Sequence, residues 1–111
     1  MRLRLLPVVL SLVATASWAA DNDGEVFEMN CASCHGADGR AKTPQGRKLK
    51  ARDLRESRLT DTELVQRIRE GSRSAAGAWL MPAFADKLKP EEIEAAARHA
   101  KTFRPAEPAK P

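Results

Sequence analysis

Cys31-Ala32-Ser33-Cys34-His35 is the stretch on which the reading of this 111-residue chain turns. Cys-x-x-Cys-His is the spacing that attaches a c-type haem: two thiols three apart can form thioethers to the two porphyrin vinyl groups, and the adjoining imidazole can then reach the iron. Two rival readings compete. A thioredoxin-like thiol pair belongs on a strand-to-helix turn of a βαβ unit, and no strands are legible here. A zinc site needs four ligands, and beyond Cys31, Cys34 and His35 only His99 remains as a usual nitrogen donor. Haem is the favoured reading, with thiol redox chemistry as the alternative.

Composition supports a large cofactor. Residues 1–19 read as a cleaved secretory signal peptide: Arg2 and Arg4 form the positive start, Leu5 to Ala16 the apolar stretch, and Ser17-Trp18-Ala19 the cleavage site. Twelve apolar-stretch residues are too few for a bilayer span, which wants about 20. The expectation is export to the periplasm with no stable membrane anchor. Losing Arg2 and Arg4 leaves 17 basic against 15 acidic residues, a balance that argues against nucleic acid as a partner. Between Arg40 and Arg58, however, eight basic residues face only Asp53 and Glu56. That region is read as covering the cofactor's propionates, with docking of an acidic redox partner as the sharper alternative. The large apolar side chains are few, and there is no Tyr. A domain this small needs a staple, and two cysteines so close together close no long loop.

Helical spacing of Gly24, Phe27, Cys31 and Cys34 predicts a first helix. Residues 36–57, with Gly36, Gly39, Pro44 and Gly46, read as a long loop wrapped around something. Thr60 and Glu63 form a capping box ahead of Leu64, Val65 and Ile68, and Gly71 marks the stop of a second helix. Residues 72–88 read as another loop, unusually apolar with Trp79, Met81 and Phe84. Pro90 opens a third helix whose apolar positions run Ile93, Ala96, Ala97, Ala100 and Phe103. The Pro-rich segment 105–111 reads as a disordered tail, leaving one domain over residues 20–104.

His35 fills one side of the iron, so the other side decides the function: a closed, six-coordinate iron argues for electron transfer, an open one for gas binding or catalysis. Met29, Met81 and His99 are the candidates. Met29 lies on the same short helix as Cys31 and cannot cross the ring, whereas 45 residues separate Met81 from His35 and allow it to. Pro82 stiffens the backbone beside Met81, and Trp79 and Phe84 are expected to pack around it. His99, at the edge of the third helix's apolar stripe, reads as a packing or surface residue.

Gly24-x-x-Phe27, Cys31-Ala-Ser-Cys34-His35-Gly36, Ile68-x-x-Gly71, Met81-Pro82-Ala83-Phe84 and the closing helix from Glu91 to Phe103, in this order, resemble the class I cytochrome c family. The resemblance implies an all-α fold of about three main helices and two long loops around one covalently bound haem, with the first and last helices crossing near Gly24 and Phe27. It implies thioethers at Cys31 and Cys34 and axial ligands at His35 and Met81. Two departures stand out. The family places an aromatic residue in the last helix where this chain has His99, and a proline carbonyl usually accepts from the proximal histidine, a role that falls here to Pro44.

The expected function is single-electron transfer between redox proteins, by a carrier and not an enzyme. The alternatives are an electron-transfer subunit of a dehydrogenase or oxidase complex and a haem enzyme or gas sensor with a labile Met81 bond.

Overall fold

The computed structural model describes residues 2–5, 7–12 and 22–106. The proposed cleavage site after Ala19 and residues 107–111 of the tail lie outside the described residues. Among the described residues no helix is long and apolar enough to cross a membrane.

Among the described residues, five α-helices, one 3-10 turn and one short hairpin follow in chain order: α1 Asn22–Asn30, α2 Ala32–His35, α3 Pro44–Leu49, the 3-10 turn Leu54–Glu56, α4 Asp61–Glu70, β1 Ser72–Arg73, β2 Trp79–Met81 and α5 Pro90–Lys101. The expected first helix is broken into α1 and α2 at Cys31, whose φ and ψ of −121° and −30° leave the helical well. The capping box before α4 forms as read: Thr60 Oγ1 accepts from Glu63 N–H and the Glu63 carboxylate accepts from Thr60 N–H.

Both expected loops contain regular structure. Within 36–57, Thr43 caps α3 and Pro44 occupies its first turn, where the missing N–H costs nothing. Within 72–88, β1 and β2 pair antiparallel.

The first and last helices cross as the resemblance implied, and they form the most extensive helix pair. Phe27 and Ile93 are the most deeply buried large side chains, joined in one cluster by Leu64, Ile68, Phe84, Ala96 and Ala97. His99 takes over the packing of the missing aromatic. Its ring lies tilted against Phe27, with centroids 5.0 Å apart, and meets Phe103 edge-on at 5.2 Å. Gly24 has no Cβ, and one placed there would stand 3.3 Å from His99 Cε1. The far end of α5 is tied down by Arg104, which donates to the Leu59 carbonyl at 2.8 Å and to Ser57 Oγ at 3.2 Å.

Asp23 clamps the same crossing through two hydrogen bonds from Arg98, at 2.9 and 3.0 Å. The guanidinium holds the Asp23 carboxyl below the ordinary aspartate value. A depressed carboxyl binds fewer protons in the folded state, so its contribution is present above the unfolded pKa and is lost as pH falls through the folded one. Asp23→Asn should therefore lower the thermal midpoint at about pH 7 and change it little near pH 2. Unfolding curves of both proteins at the two pH values check this.

Candidate functional site

Cys31, Cys34 and His35 share one tight turn. Cys31 N–H still bonds the Phe27 carbonyl of α1 at 2.8 Å, and His35 N–H bonds the Cys31 carbonyl at 2.9 Å, so the motif continues α1 with a changed direction. The two thiols are not joined as a disulfide. Burial, with Cys34 adding to it, pushes the Cys31 thiol up to about 11, so it stays protonated near neutral pH. Cys31 is therefore not an activated thiolate of the kind that attacks in thiol exchange. Among the described residues no group of three or more His, Cys, Asp or Glu could hold a metal ion by itself.

His35 is oriented from behind. Its Nδ1 lies 3.0 Å from the Arg52 carbonyl oxygen, and since a carbonyl can only accept, Nδ1 carries the proton and Nε2 keeps its lone pair. Burial holds the ring below the ordinary histidine value, against the opposing pull of the Arg52 carbonyl, and so favours the neutral, ligating form. Pro44, assigned this acceptor role from the sequence, instead starts α3. An acceptor supplied by main chain carries no side-chain signature, which is why Arg52 was not legible.

α3 braces the motif. Thr43 Oγ1 is within hydrogen-bond distance of the Ser33 carbonyl (2.7 Å) and the Cys34 carbonyl (3.0 Å), while accepting from Gly46 N–H at 2.9 Å. Gly46 presses so closely on the motif that a Cβ there would overlap the Cys34 carbonyl oxygen. Thr43 followed by Pro44 is a helix-start signature, and it is the signal by which α3 was findable.

Met81 ends β2 and packs against the same apolar cluster that contains Cys31 and Phe84. Its carbonyl crowds Gly71, whose φ of 69° and missing Cβ let the 81–83 backbone pass: a Cβ would meet Met81 O, Pro82 C and Ala83 N. On the far side, Phe84 and Ala85 donate to the Ile68 and Arg69 carbonyls of α4 at 3.0 and 3.2 Å. Met29 is 78% exposed and lines a cleft between α1 and α5 beside Leu88 and Glu91, apart from the motif. Of the two aromatics expected around Met81, Phe84 is buried, whereas Trp79 is 46% exposed with the Arg73 guanidinium over its ring. Leu54, Leu59 and Val65 flank the cluster only partly buried. Paired free thiols, an imidazole with an available Nε2, a thioether and half-covered apolar side chains fit a covalently held haem.

The family described as cytochrome c oxidase, cbb3-type, subunit III matches residues 19–99. Cytochrome c6 of Nostoc sp. strain PCC 7120 is 36% identical over 95 residues, covering 81% of this chain and 79% of that protein. Cytochrome c6 of Anabaena variabilis is 36% identical over 72 residues, 65% of this chain and 77% of that one. This chain belongs to the class I cytochrome c family. Among solved structures, the c-type cytochrome KustC0563 superposes with a TM-score of 0.65 at 28% identity, covering 75% of this chain and 98% of that one. A point mutant of it gives 0.61 at 31% identity over 74% and 99%. As a class I cytochrome c, the chain is an electron carrier with one covalently bound haem c.

Replacing Thr43 with Val removes the α3 cap and both hydroxyl contacts to the haem motif of this cytochrome. Thr43→Val should cost about 1–2 kcal/mol of stability, measured as a shift in denaturant midpoint.

Proposed function

We propose that the protein is a periplasmic single-electron carrier, exported by removal of residues 1–19, with haem c held by Cys31 and Cys34 and its iron ligated by His35 and Met81. The observation that carries this reading is that both ligands are pinned through main chain: His35 by the Arg52 carbonyl, Met81 by the close passage at Gly71 and the α4 carbonyls. Haem supplies the one-electron couple. His35 stays neutral and oriented, and Met81 contributes a soft, weak donor that favours the reduced state. Ligands fixed this way need little rearrangement when the charge changes, and a saturated iron leaves no place for a substrate, so the protein is not an enzyme.

The visible and near-infrared absorption of wild type and Met81→Ala tests the ligand set. The wild type should show a low-spin c-type spectrum with a methionine-to-iron charge-transfer band. In Met81→Ala that band should vanish, the reduction potential should fall, and the reduced protein should bind carbon monoxide rapidly. Identical spectra for the two proteins would refute Met81.

The basic region is assigned to an acidic redox partner. Asp38 and Asp53 engage Arg40 and Arg55, while Lys42, Arg47, Lys48, Lys50, Arg52 and Arg58 are exposed and have no carboxylate within salt-bridge distance among the described residues. Six uncompensated cations attract an anionic surface over about a Debye length, which is ~8 Å at physiological salt. Electron exchange with ferricyanide, an anionic probe, should slow as salt is raised, and Arg47→Glu with Lys48→Glu should flatten that dependence. A rate independent of salt in the wild type would leave these cations only the roles of covering the haem propionates and meeting solvent.

A second reading is favoured by the description of the matching family: the same module as the electron-transfer part of an oxidase. Copurification with a larger subunit would support it.

A further inference from the structure

The segment carrying Met81 is held very differently on its two sides. Downstream, Phe84 is buried and two backbone bonds reach α4. Upstream lies a hairpin of two- and three-residue strands, and a ribbon that short has little stability of its own. Its register is irregular: Arg73 faces Trp79 and Ser72 faces Met81, so Leu80 is the extra residue of a bulge. A bulge re-aims the side chains that follow it, here Met81. Closure of the tip rests on Ser74 N–H to the Ala78 carbonyl at 2.8 Å and Gly77 N–H to the Ser74 carbonyl at 2.9 Å.

One side chain spans this weak element. The Arg73 guanidinium lies 3.8 Å from the centroid of the Trp79 ring and donates to the Gly77 carbonyl at 3.4 Å. No carboxylate competes for it within salt-bridge distance among the described residues. Trp79 pairs with Arg73 and Met81 with the adjacent Ser72, so the bulge sets Trp79 and Met81 on opposite faces of the ribbon, and the Arg73–Trp79 contact bears on Met81 through the strand's backbone. The planar cation thus fixes the ring, and the ring fixes the strand that delivers the thioether.

We propose that Arg73 is a positioning residue for Met81, acting through the face of Trp79 to keep the hairpin shut. The inference rests on Met81 being the sixth ligand. It concerns how firmly that ligand is held, since an opened hairpin frees the upstream end of its strand. In the intact structure, Met81 therefore outcompetes outside ligands by more than its own bond provides.

The test uses the haem-loaded ferric protein and imidazole as the competing ligand, followed by loss of the methionine-to-iron charge-transfer band. Arg73→Ala should raise the apparent imidazole affinity about two- to fivefold, the factor that an exposed cation–π contact is worth. Arg73→Lys, which keeps the charge and loses the flat stacking face, should fall between the two. In a Met81→Ala background, with imidazole binding followed in the Soret region, Arg73→Ala should leave the affinity unchanged, because there is no thioether left to hold. A purely structural role for Arg73 would lower the thermal midpoint without this dependence on Met81. Unchanged affinity in Arg73→Ala, with the band intact, overturns the role of Arg73 alone. A wild-type protein without the band overturns the ligand assignment as well.

Discussion

A shortage of large apolar side chains governs this fold. Among the described residues, five of the eleven buried apolar side chains are alanines, and no polar side chain is buried with them. Each alanine buries little area, so a core of this kind gains little hydrophobic free energy to set against chain entropy. Two arrangements answer the shortage. Gly24 lets the His99 ring descend onto α1 and complete an aromatic group with Phe27 and Phe103. Leu54, Leu59, Val65 and Met81 remain only partly covered around the cluster, and the covalently bound haem c of this family adds apolar area that the side chains lack.

From this follows the division of labour around the site. The helices that form the core supply the motif and the crossing, and the segments between them supply restraint. α3 holds the carbonyls of Ser33 and Cys34, the chain at Arg52 holds the imidazole, and Gly71 admits the backbone that presents Met81. Two of these restraints, from Thr43 and Arg52, come from the long connection between α2 and α4, which gives that connection work in so small a domain.

Legibility followed the kind of interaction involved. Side-chain signatures were readable: the spacing of the cysteine motif, the reciprocal cap of Thr60 and Glu63, and Pro90 with the stripe behind it. Backbone-mediated features were not. β1 and β2 are too short for alternation to show, and the bulge at Leu80 disrupts what pattern there is. The Arg52 acceptor is a carbonyl, which no residue type announces. Trp79 was read by its hydrophobicity as packing around Met81, but the facing guanidinium makes a half-exposed indole acceptable at the surface.

Arg52 contributes to the site with an atom that every amino acid possesses. Exchanging its side chain for another that leaves the backbone path alone keeps a carbonyl in the same place, so the proximal hydrogen bond is shielded from most point mutations. What can break it is a change in path or length of the chain between Leu49 and Leu54. For this hydrogen bond the side chain at position 52 is immaterial, and the residue count between Leu49 and Leu54 is what must be kept.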